Sequence, residues 1–392
     1  MSHIVIIGCG IVGAAIAYQL SKIEGLKITV LDQQMPAQGS TGAALGVLMG
    51  VISQKVKGRP WKMRRMSVER YHSLIPELEA KINRPILHNR QGILLLCLPG
   101  DDLDKWKRLV SIREADGLPL EMWDLAQLGD RCPQIETSEV TAAIYSPQDL
   151  QVNPVALTLA LVEAAQQNGV NFHFGVTVGE YDTISLPNNQ YRCRQIQTKS
   201  LDKRTKAPIL ADVDWLVVAA GLGSLPCLQG ITEDKLESLQ LKHKSNLDKS
   251  FTIMPVLGQA LHLQVSSALG KADFQPTITG DDVHILPVGE NEYWVGATLE
   301  FPNDAGEVVA DPGLLDTIMA RAISFCPGLA DATVVRKWSG LRPRPEGQAS
   351  PTVGYLEGFK NVLLATGHYR NGVLLAPATA EAVEKMILSR DR

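Results

Sequence analysis

Residues 4–32, which read IVIIGCGIVGAAIAYQLSKIEGLKITVLD, decide the fold of this chain. Residues 4–7 are a short apolar run that predicts a buried strand, and residues 11–22 predict a helix. A second strand is predicted over residues 27–31 and is closed by Asp32. The N-terminus is therefore predicted to form a βαβ unit.

The predicted strand and helix are joined by Gly8-Cys9-Gly10-Ile11-Val12-Gly13, a G-x-G-x-x-G in the context that this motif requires. Gly8 permits a tight turn, Gly10 lets the backbone approach a pyrophosphate, and Gly13 allows close packing of helix on strand. Asp32 is placed to accept hydrogen bonds from adenosine ribose hydroxyls and disfavours a 2′-phosphate. The motif predicts dinucleotide binding but does not choose between FAD and NAD(P), which share the ADP half.

The bulk composition limits the expected partners. The chain has 392 residues, of which 45% are hydrophobic, so it can bury a large core and is long enough for two lobes. Its formal net charge of -4 favours neither nucleic acid nor an anionic membrane as a partner. The cysteines are scattered, so we expect no metal site, no disulfide framework and a cytoplasmic location. The glycines of the apolar N-terminus argue against a transmembrane segment.

Hydrophobic periodicity and turn residues predict further elements, without internal repeats or an obvious linker. Helices are predicted within 61–82 and over 101–115, 154–167 (with Asn153 as N-cap), 313–325 and 376–388. Strands are predicted at 92–98, 170–174, 191–198, 213–219 and 362–365, with an exposed loop at 199–206 and antiparallel strands within 251–298, notably 284–287 and 293–297. The two lobes are therefore expected to be interleaved along the chain.

Residues 367–379, GHYRNGVLLAPAT, connect the last predicted strand to the last predicted helix. Pro377 suits the first turn of that helix, so the unpaired N–H groups of its N-terminus are expected to face the ligand of the first glycine loop. If that ligand is a flavin, the positive helix end would stabilise negative charge on the reduced ring.

This C-terminal segment, the N-terminal hexad, Ser40-Thr41-Gly42-Ala43-Ala44 and Trp338-Ser339-Gly340-Leu341-Arg342-Pro343 together resemble the D-amino-acid-oxidase-like flavoproteins, and within them the glycine oxidases of thiamine biosynthesis. The resemblance covers nearly the whole chain. It implies non-covalently bound FAD and a mixed α/β fold, in which a Rossmann-like FAD-binding domain is interleaved with an antiparallel-sheet substrate domain. The implied FAD-binding segments are 1–85, 145–235 and 336–392, and the implied substrate-domain segments are 86–144 and 236–335.

The resemblance also implies a set of cofactor contacts. They are Gly8, Gly10, Ile11, Val12 and Gly13 at the pyrophosphate, Asp32 and Gln33 at the adenosine ribose, Ser40 and Thr41 at phosphate, Leu45, Gly46 and Val47 beside the isoalloxazine, Val178 at the adenine through its backbone, Gly221 within the same site, and His368, Tyr369, Arg370, Asn371, Gly372, Val373 and Leu374 around the flavin ring.

An amino-acid carboxylate in a water-poor pocket needs a charged bidentate donor, for which arginine is suited. Arg342 is the first candidate because the family pattern falls on it, with Arg344 as a near alternative by spacing. Arg370 is the second positive group predicted to contact substrate or flavin. The family commonly places a tyrosine where His284 stands, so the second carboxylate contact is open and His284 is either a donor or a structural residue.

The resemblance implies oxidative deamination of glycine or another small amino acid, by hydride transfer from the substrate Cα to flavin N5, without an obligatory protein base. The resulting imine hydrolyses to an oxo acid and ammonia. Oxygen is the expected electron acceptor; the alternative is an amino-acid or secondary-amine dehydrogenase that uses a quinone. A flavin-binding sensor without turnover and an NAD(P) dehydrogenase are weaker hypotheses, and a homo-oligomer is left open.

Overall fold

The structure is a computed structural model that describes residues 1–202, 208–236, 252–347 and 349–389. Its helices are α1 Ile11–Leu20, α2 Ser40–Ala43, α3 Gly58–Ile82, α4 Leu103–Ala115, α5 Leu125–Arg131, α6 Pro154–Gln167, α7 Ser224–Leu236, α8 Pro312–Phe325 and α9 Gly372–Leu388. None of these helices is both long enough and apolar enough to cross a membrane.

The strands of the described residues are β1 Ser2–Ile7, β2 Leu26–Asp32, β3 Val47–Leu48, β4 His88–Asn89, β5 Ile93–Cys97, β6 Glu121–Trp123, β7 Ala142–Ser146, β8 Leu150–Val152, β9 Asn171–Phe174, β10 Val176–Leu186, β11 Gln190–Ser200, β12 Ile209–Leu210, β13 Trp215–Val218, β14 Thr252–Gln264, β15 Thr277–Gly280, β16 Val283–Gly289, β17 Glu292–Gly296, β18 Thr333–Glu346, β19 Thr352–Tyr355 and β20 Val362–Thr366. The predicted βαβ unit is confirmed as β1, α1 and β2.

The first lobe is built on a six-stranded sheet with the order β19-β20-β13-β1-β2-β9, parallel except for β19. Side chains of β1 alternate between two cores, as they must on a pleated strand. Ile4 and Ile6 face the helices α1, α3, α6 and α9. Val5 and Ile7 face α7 and the small sheet β10-β11-β12. The central strand is therefore covered on both faces.

The second lobe is built on an eight-stranded sheet with the order β18-β14-β17-β16-β15-β5-β7-β6, in which only β15 and β5 pair in parallel. Its core includes Leu94, Ile285 and Phe325. The strands of both sheets come from separated stretches of chain, which confirms the predicted mixed α/β fold. Residue 145, a predicted segment boundary, lies inside β7, and residue 336, another, lies inside β18, both strands of this second sheet.

The last helix begins earlier than predicted. It starts at Gly372 rather than at residue 376, so Pro377 lies inside the helix and the expectation of a first-turn proline is wrong. A proline in this position leaves the carbonyl four residues before it without its helical N–H partner. That carbonyl belongs to Val373, and it accepts a hydrogen bond of 2.5 Å from the hydroxyl of Tyr71 on α3. The long-range contact allows the helix to begin four residues earlier.

Strand β18, which carries Arg342, was not predicted as a strand. It contains Pro343 and Pro345, which lack the N–H group that a central strand needs. Because β18 lies at the edge of the eight-stranded sheet and pairs only with β14, these prolines are tolerated. Within the predicted loop, β11 extends to Ser200, and residues 203–206 lie outside the described residues, as does Phe251.

Candidate active site

A cavity of about 1520 Å³ lies between the two lobes. Its walls are the first glycine loop, α2, the start of α9 and one face of the eight-stranded sheet. Of the residues predicted for the cofactor and the substrate, all except Gly13 and the alternative arginine, Arg344, line this cavity. The structure therefore brings together segments that are more than 300 positions apart in the sequence, while their individual ligand contacts stay predictions.

The glycine loop between β1 and α1 leaves little or no room for side chains. Gly8 has a φ of +103°, and a Cβ there would lie 2.6 Å from the carbonyl oxygen of Ala219 on the neighbouring strand segment. A Cβ at Gly13 would overlap the carbonyl oxygen of Gly8, and one at Gly10 would lie 3.1 Å from Thr41 Oγ1. The resulting bare backbone fits the approach of a pyrophosphate to the start of α1.

Backbone N–H groups hold the acid at the end of β2. The N–H of Cys9 donates to Asp32 Oδ2 at 2.6 Å and the N–H of Gln34 donates to Oδ1 at 2.8 Å. Thr41 Oγ1 accepts from the N–H of Ile11 at 3.0 Å, so its hydroxyl hydrogen remains to be donated. Asp32 is thus fixed at the cavity edge, and Thr41 can serve both α1 and a phosphate oxygen.

Helix α2 joins the two lobes. The Ser40 hydroxyl donates to the carbonyl oxygen of Leu341 at 2.6 Å, and Trp338 Nε1 donates to that of Ala43 at 3.1 Å. A Cβ at Gly340 would overlap the Ala43 side chain, so this glycine lets α2 lie against β18. Because the single hydrogen of Ser40 is used here, its predicted phosphate contact requires the hydroxyl to turn.

The segment between β20 and α9 forms the wall opposite α2. Burial, with a smaller contribution from the charge of Arg59, lowers the pKa of His368 to about 3. The ring is therefore neutral at physiological pH, and its Nε2 lies 2.9 Å from Thr379 Oγ1. The His368 ring is thus buried and hydrogen-bonded to α9. The first N–H groups of α9, from Gly372 onward, border the cavity.

Arg342 is held inside the cavity by backbone carbonyls. Its Nη1 donates to the carbonyl oxygens of Leu257 at 3.0 Å and Thr298 at 3.2 Å. Among the described residues, these two carbonyl oxygens are the hydrogen-bond partners of the guanidinium, and no carboxylate is paired with it. A Cβ at Gly258 on β14 would overlap this guanidinium, so the absence of a side chain there leaves space for it. Burial and the nearby charge of Arg370 lower the pKa of Arg342.

A buried polar network that the sequence did not reveal lies behind Arg342. Gln259 Nε2 donates to Glu300 Oε1 at 3.0 Å, and the Thr298 hydroxyl donates to the same oxygen. The N–H of Asp311 donates to Glu300 Oε2 at 2.7 Å, and the N–H of Glu300 donates to the carbonyl oxygen of Leu257. These residues fix two carbonyls that hold Arg342. No local motif marks them, because they meet only when β14 pairs with the segment after β17.

A second charged group borders the cavity beside Arg342. Arg370 Nη2 lies 2.9 Å from Asp282 Oδ1, a partner that the sequence reasoning missed. His284 is half-buried, but its Nδ1 is fully buried and has no hydrogen-bond partner among the described residues. Burial, followed by the charge of Arg370, lowers the pKa of His284 to about 4, so the ring is neutral near pH 7.

The two arginines considered from the sequence have different surroundings. Arg342 faces the cavity, whereas the guanidinium of Arg344 lies 5.1 Å from the ring centroid of Phe301 and 5.9 Å from that of Tyr369. Because residues two apart on a strand share a face, spacing alone did not separate these candidates. Of these two arginines, Arg342 lines the cavity and Arg344 does not.

The family model described as "FAD dependent oxidoreductase" matches residues 3–386. The chain belongs to this family. It is therefore an FAD-dependent oxidoreductase. The glycine loop between β1 and α1, together with Asp32 at the end of β2, fits the ADP half of that cofactor. The comparisons confirm the flavin prediction over the NAD(P) alternative.

Two relatives align with nearly the whole chain. The bifunctional protein ThiO/ThiG of Trichormus variabilis is 29% identical over 99% of this chain, which spans about half (53%) of that relative's length. The glycine oxidase of Bacillus licheniformis is 26% identical, with 98% of this chain and 92% of the relative covered. The crystal structure of glycine oxidase from Bacillus cereus has a TM-score of 0.79 at 22% identity, covering 100% of this chain and 96% of the other. The structural likeness shows a shared fold, while the family and the glycine oxidase relative support oxidation of an amino acid or an amine as the reaction class.

Proposed function

We propose that the chain oxidises glycine or another small amino acid to an imine, which water hydrolyses to an oxo acid and ammonia. The observation that carries this proposal is the position of Arg342, a half-buried guanidinium that faces the cavity and has no carboxylate partner among the described residues. A partly desolvated cation of this kind is well suited to receive a substrate carboxylate by charge-assisted hydrogen bonds. The glycine oxidase relative adds support for a small substrate.

The protein supplies position and electrostatics. FAD, when bound, accepts the hydrogen and the two electrons that leave the substrate Cα. Arg342 holds the acid group. The N-terminus of α9, which forms the wall opposite α2, directs the positive end of its helix dipole into the cavity. His284 is half-buried and His368 is buried, and burial lowers the pKa of their rings to about 4 and about 3, so both are weak proton acceptors. We therefore propose that no protein base is needed and that the substrate reacts as the neutral amine.

The reductive half of the reaction can be tested whatever the acceptor. The purified holoenzyme is mixed anaerobically with a panel of amino acids and amines, and bleaching of the flavin is followed. We expect the fastest bleaching with glycine or another small amino acid. Bleaching by none of the carboxylated substrates would reject the proposal.

The electron acceptor is tested separately. Hydrogen peroxide formation in air is compared with reduction of an artificial quinone acceptor, using the best substrate of the panel. Peroxide at the same rate as substrate consumption supports an oxidase that returns electrons to oxygen. Turnover with the quinone alone instead establishes the dehydrogenase alternative, which uses the same arginine.

A further inference from the structure

Two adjacent aspartates form the turn between β15 and β16 at the edge of the cavity. Asp281 and Asp282 have φ values of +48° and +59°, and both line the cavity. Their carboxylates nevertheless have different partners. Asp282 Oδ1 pairs with Arg370 Nη2 at 2.9 Å, whereas Asp281 Oδ2 pairs with Arg321 Nε on α8 at 3.1 Å. The turn thus separates one carboxylate that meets the site's second arginine from one that does not.

Because of the Asp282 contact, the two cavity arginines differ in the positive charge that each can offer to a ligand. Arg342 donates to backbone carbonyls and retains its full charge for a ligand, whereas the charge of Arg370 is already met by a carboxylate. A substrate with one acid group therefore finds one uncompensated guanidinium. A second acid group directed at Arg370 would meet the negative charge of Asp282 and would have to displace it.

The ion pair is weak enough for this competition to be measurable. The side chains of Arg370 and Asp282 are 39% and 75% exposed, and exposed pairs contribute little to stability. Removing the Asp282 carboxylate should therefore change the availability of Arg370 without unfolding the lobe. Asparagine tolerates the left-handed backbone of this turn, so Asp282→Asn keeps the local conformation.

We propose that Asp282 is a specificity-determining residue that occupies Arg370 and thereby disfavours substrates with a second carboxylate. The proposal rests on the proposed function only in assuming that the ligands are carboxylates bound by Arg342. Asp282 acts through Arg370, and its effect is on ligand discrimination rather than on the chemical step.

The test measures ligand binding without turnover. Acetate and malonate, a monocarboxylate and a dicarboxylate that cannot be oxidised here, are titrated into the oxidised holoenzyme, and Kd is taken from the perturbed flavin absorbance. In Asp282→Asn we expect malonate to bind up to about fivefold more tightly relative to acetate, the upper end for an exposed ion pair. Asp282→Glu, which keeps the charge, should restore the ratio of the parent protein.

Asp281→Asn is the matched control. It removes the same charge from the neighbouring position of the same turn, but its carboxylate pairs with Arg321 rather than Arg370. We expect it to leave the acetate-to-malonate ratio unchanged. An equal shift in both asparagine variants, or no shift in Asp282→Asn, would overturn the proposal. These outcomes differ from failure of the proposed function, which would appear as a panel of amino acids that bleaches no flavin.

Discussion

The two ends of the cavity are built by different means. The nucleotide end uses backbone, with Gly8, Gly10 and Asp32 all within the first 32 residues and their hydrogen bonds made to neighbouring main chain. The carboxylate end uses charged side chains from distant positions, with Arg342 held by Leu257 and Thr298 and flanked by Arg370. This difference implies that the first end should control retention of the cofactor, and the second should control recognition of the substrate.

The largest expected effect is at the nucleotide end. Gly10→Val places a branched side chain where a single Cβ would already lie 3.1 Å from Thr41 Oγ1 and where the pyrophosphate must approach. We expect the purified variant to lose its bound flavin, measured as visible absorbance relative to protein absorbance. Gly354→Val on β19 is the control, since a Cβ there meets nothing within 4 Å. A fully yellow Gly10→Val protein would contradict this assignment.

Arg342→Ala should have the opposite pattern, with flavin retained and substrate recognition lost. Loss of a charged hydrogen-bonding group costs about 2 to 5 kcal/mol, which corresponds to an increase in KM of about 30- to 5,000-fold. Steady-state kinetics with the best amino acid measure it. Arg344→Ala is the matched control, because that guanidinium lies over Phe301 and Tyr369, and its KM should stay near that of the parent. Equal effects of the two substitutions would remove the special role of Arg342.

Gly258→Ala tests whether the absence of a side chain at this position is needed to hold the Arg342 guanidinium in place. The added Cβ would overlap the guanidinium and displace it from the carbonyl oxygens of Leu257 and Thr298. We expect KM to rise about tenfold, since one hydrogen bond to a charged group contributes about 1.5 kcal/mol. Flavin content should be unchanged, because the substitution is at the carboxylate end. A variant that lost flavin while keeping its KM would reverse the proposed division between the two ends.

The smallest expected effect concerns pH. Because burial holds the pKa of His284 at about 4, below the ordinary histidine value of 6.5, the ring stays neutral in the folded protein as pH falls through 6.5. The unfolded chain binds this proton first, so the free energy of unfolding should decrease as pH falls from about 6.5 to about 4. Chemical denaturation at several pH values should show a shallower decrease for His284→Asn. An identical pH dependence in the variant would contradict the lowered pKa.

Local sequence was sufficient for the nucleotide end and for the family pattern. The glycine hexad, β1, α1, β2 and Asp32 form one contiguous unit, in which turn geometry and hydrophobic period agree. The start of α9 was mispredicted because a distant hydroxyl, that of Tyr71, satisfies the carbonyl that Pro377 leaves free. Asp282 and Glu300 were missed for the same kind of reason. The partner of Asp282, Arg370, is 88 positions away, and the partner of Glu300, Gln259, lies on β14. Tertiary pairing therefore determines what the sequence pattern leaves open.

One measurement tests the central claim that Arg342 binds the carboxylate of the substrate beside the flavin. Anaerobic flavin bleaching is compared for the best amino acid and its carboxamide, which lacks the negative charge, in the parent protein and in Arg342→Ala. The account predicts that the parent strongly prefers the amino acid and that this preference collapses in the variant. An equally strong preference in Arg342→Ala would contradict it.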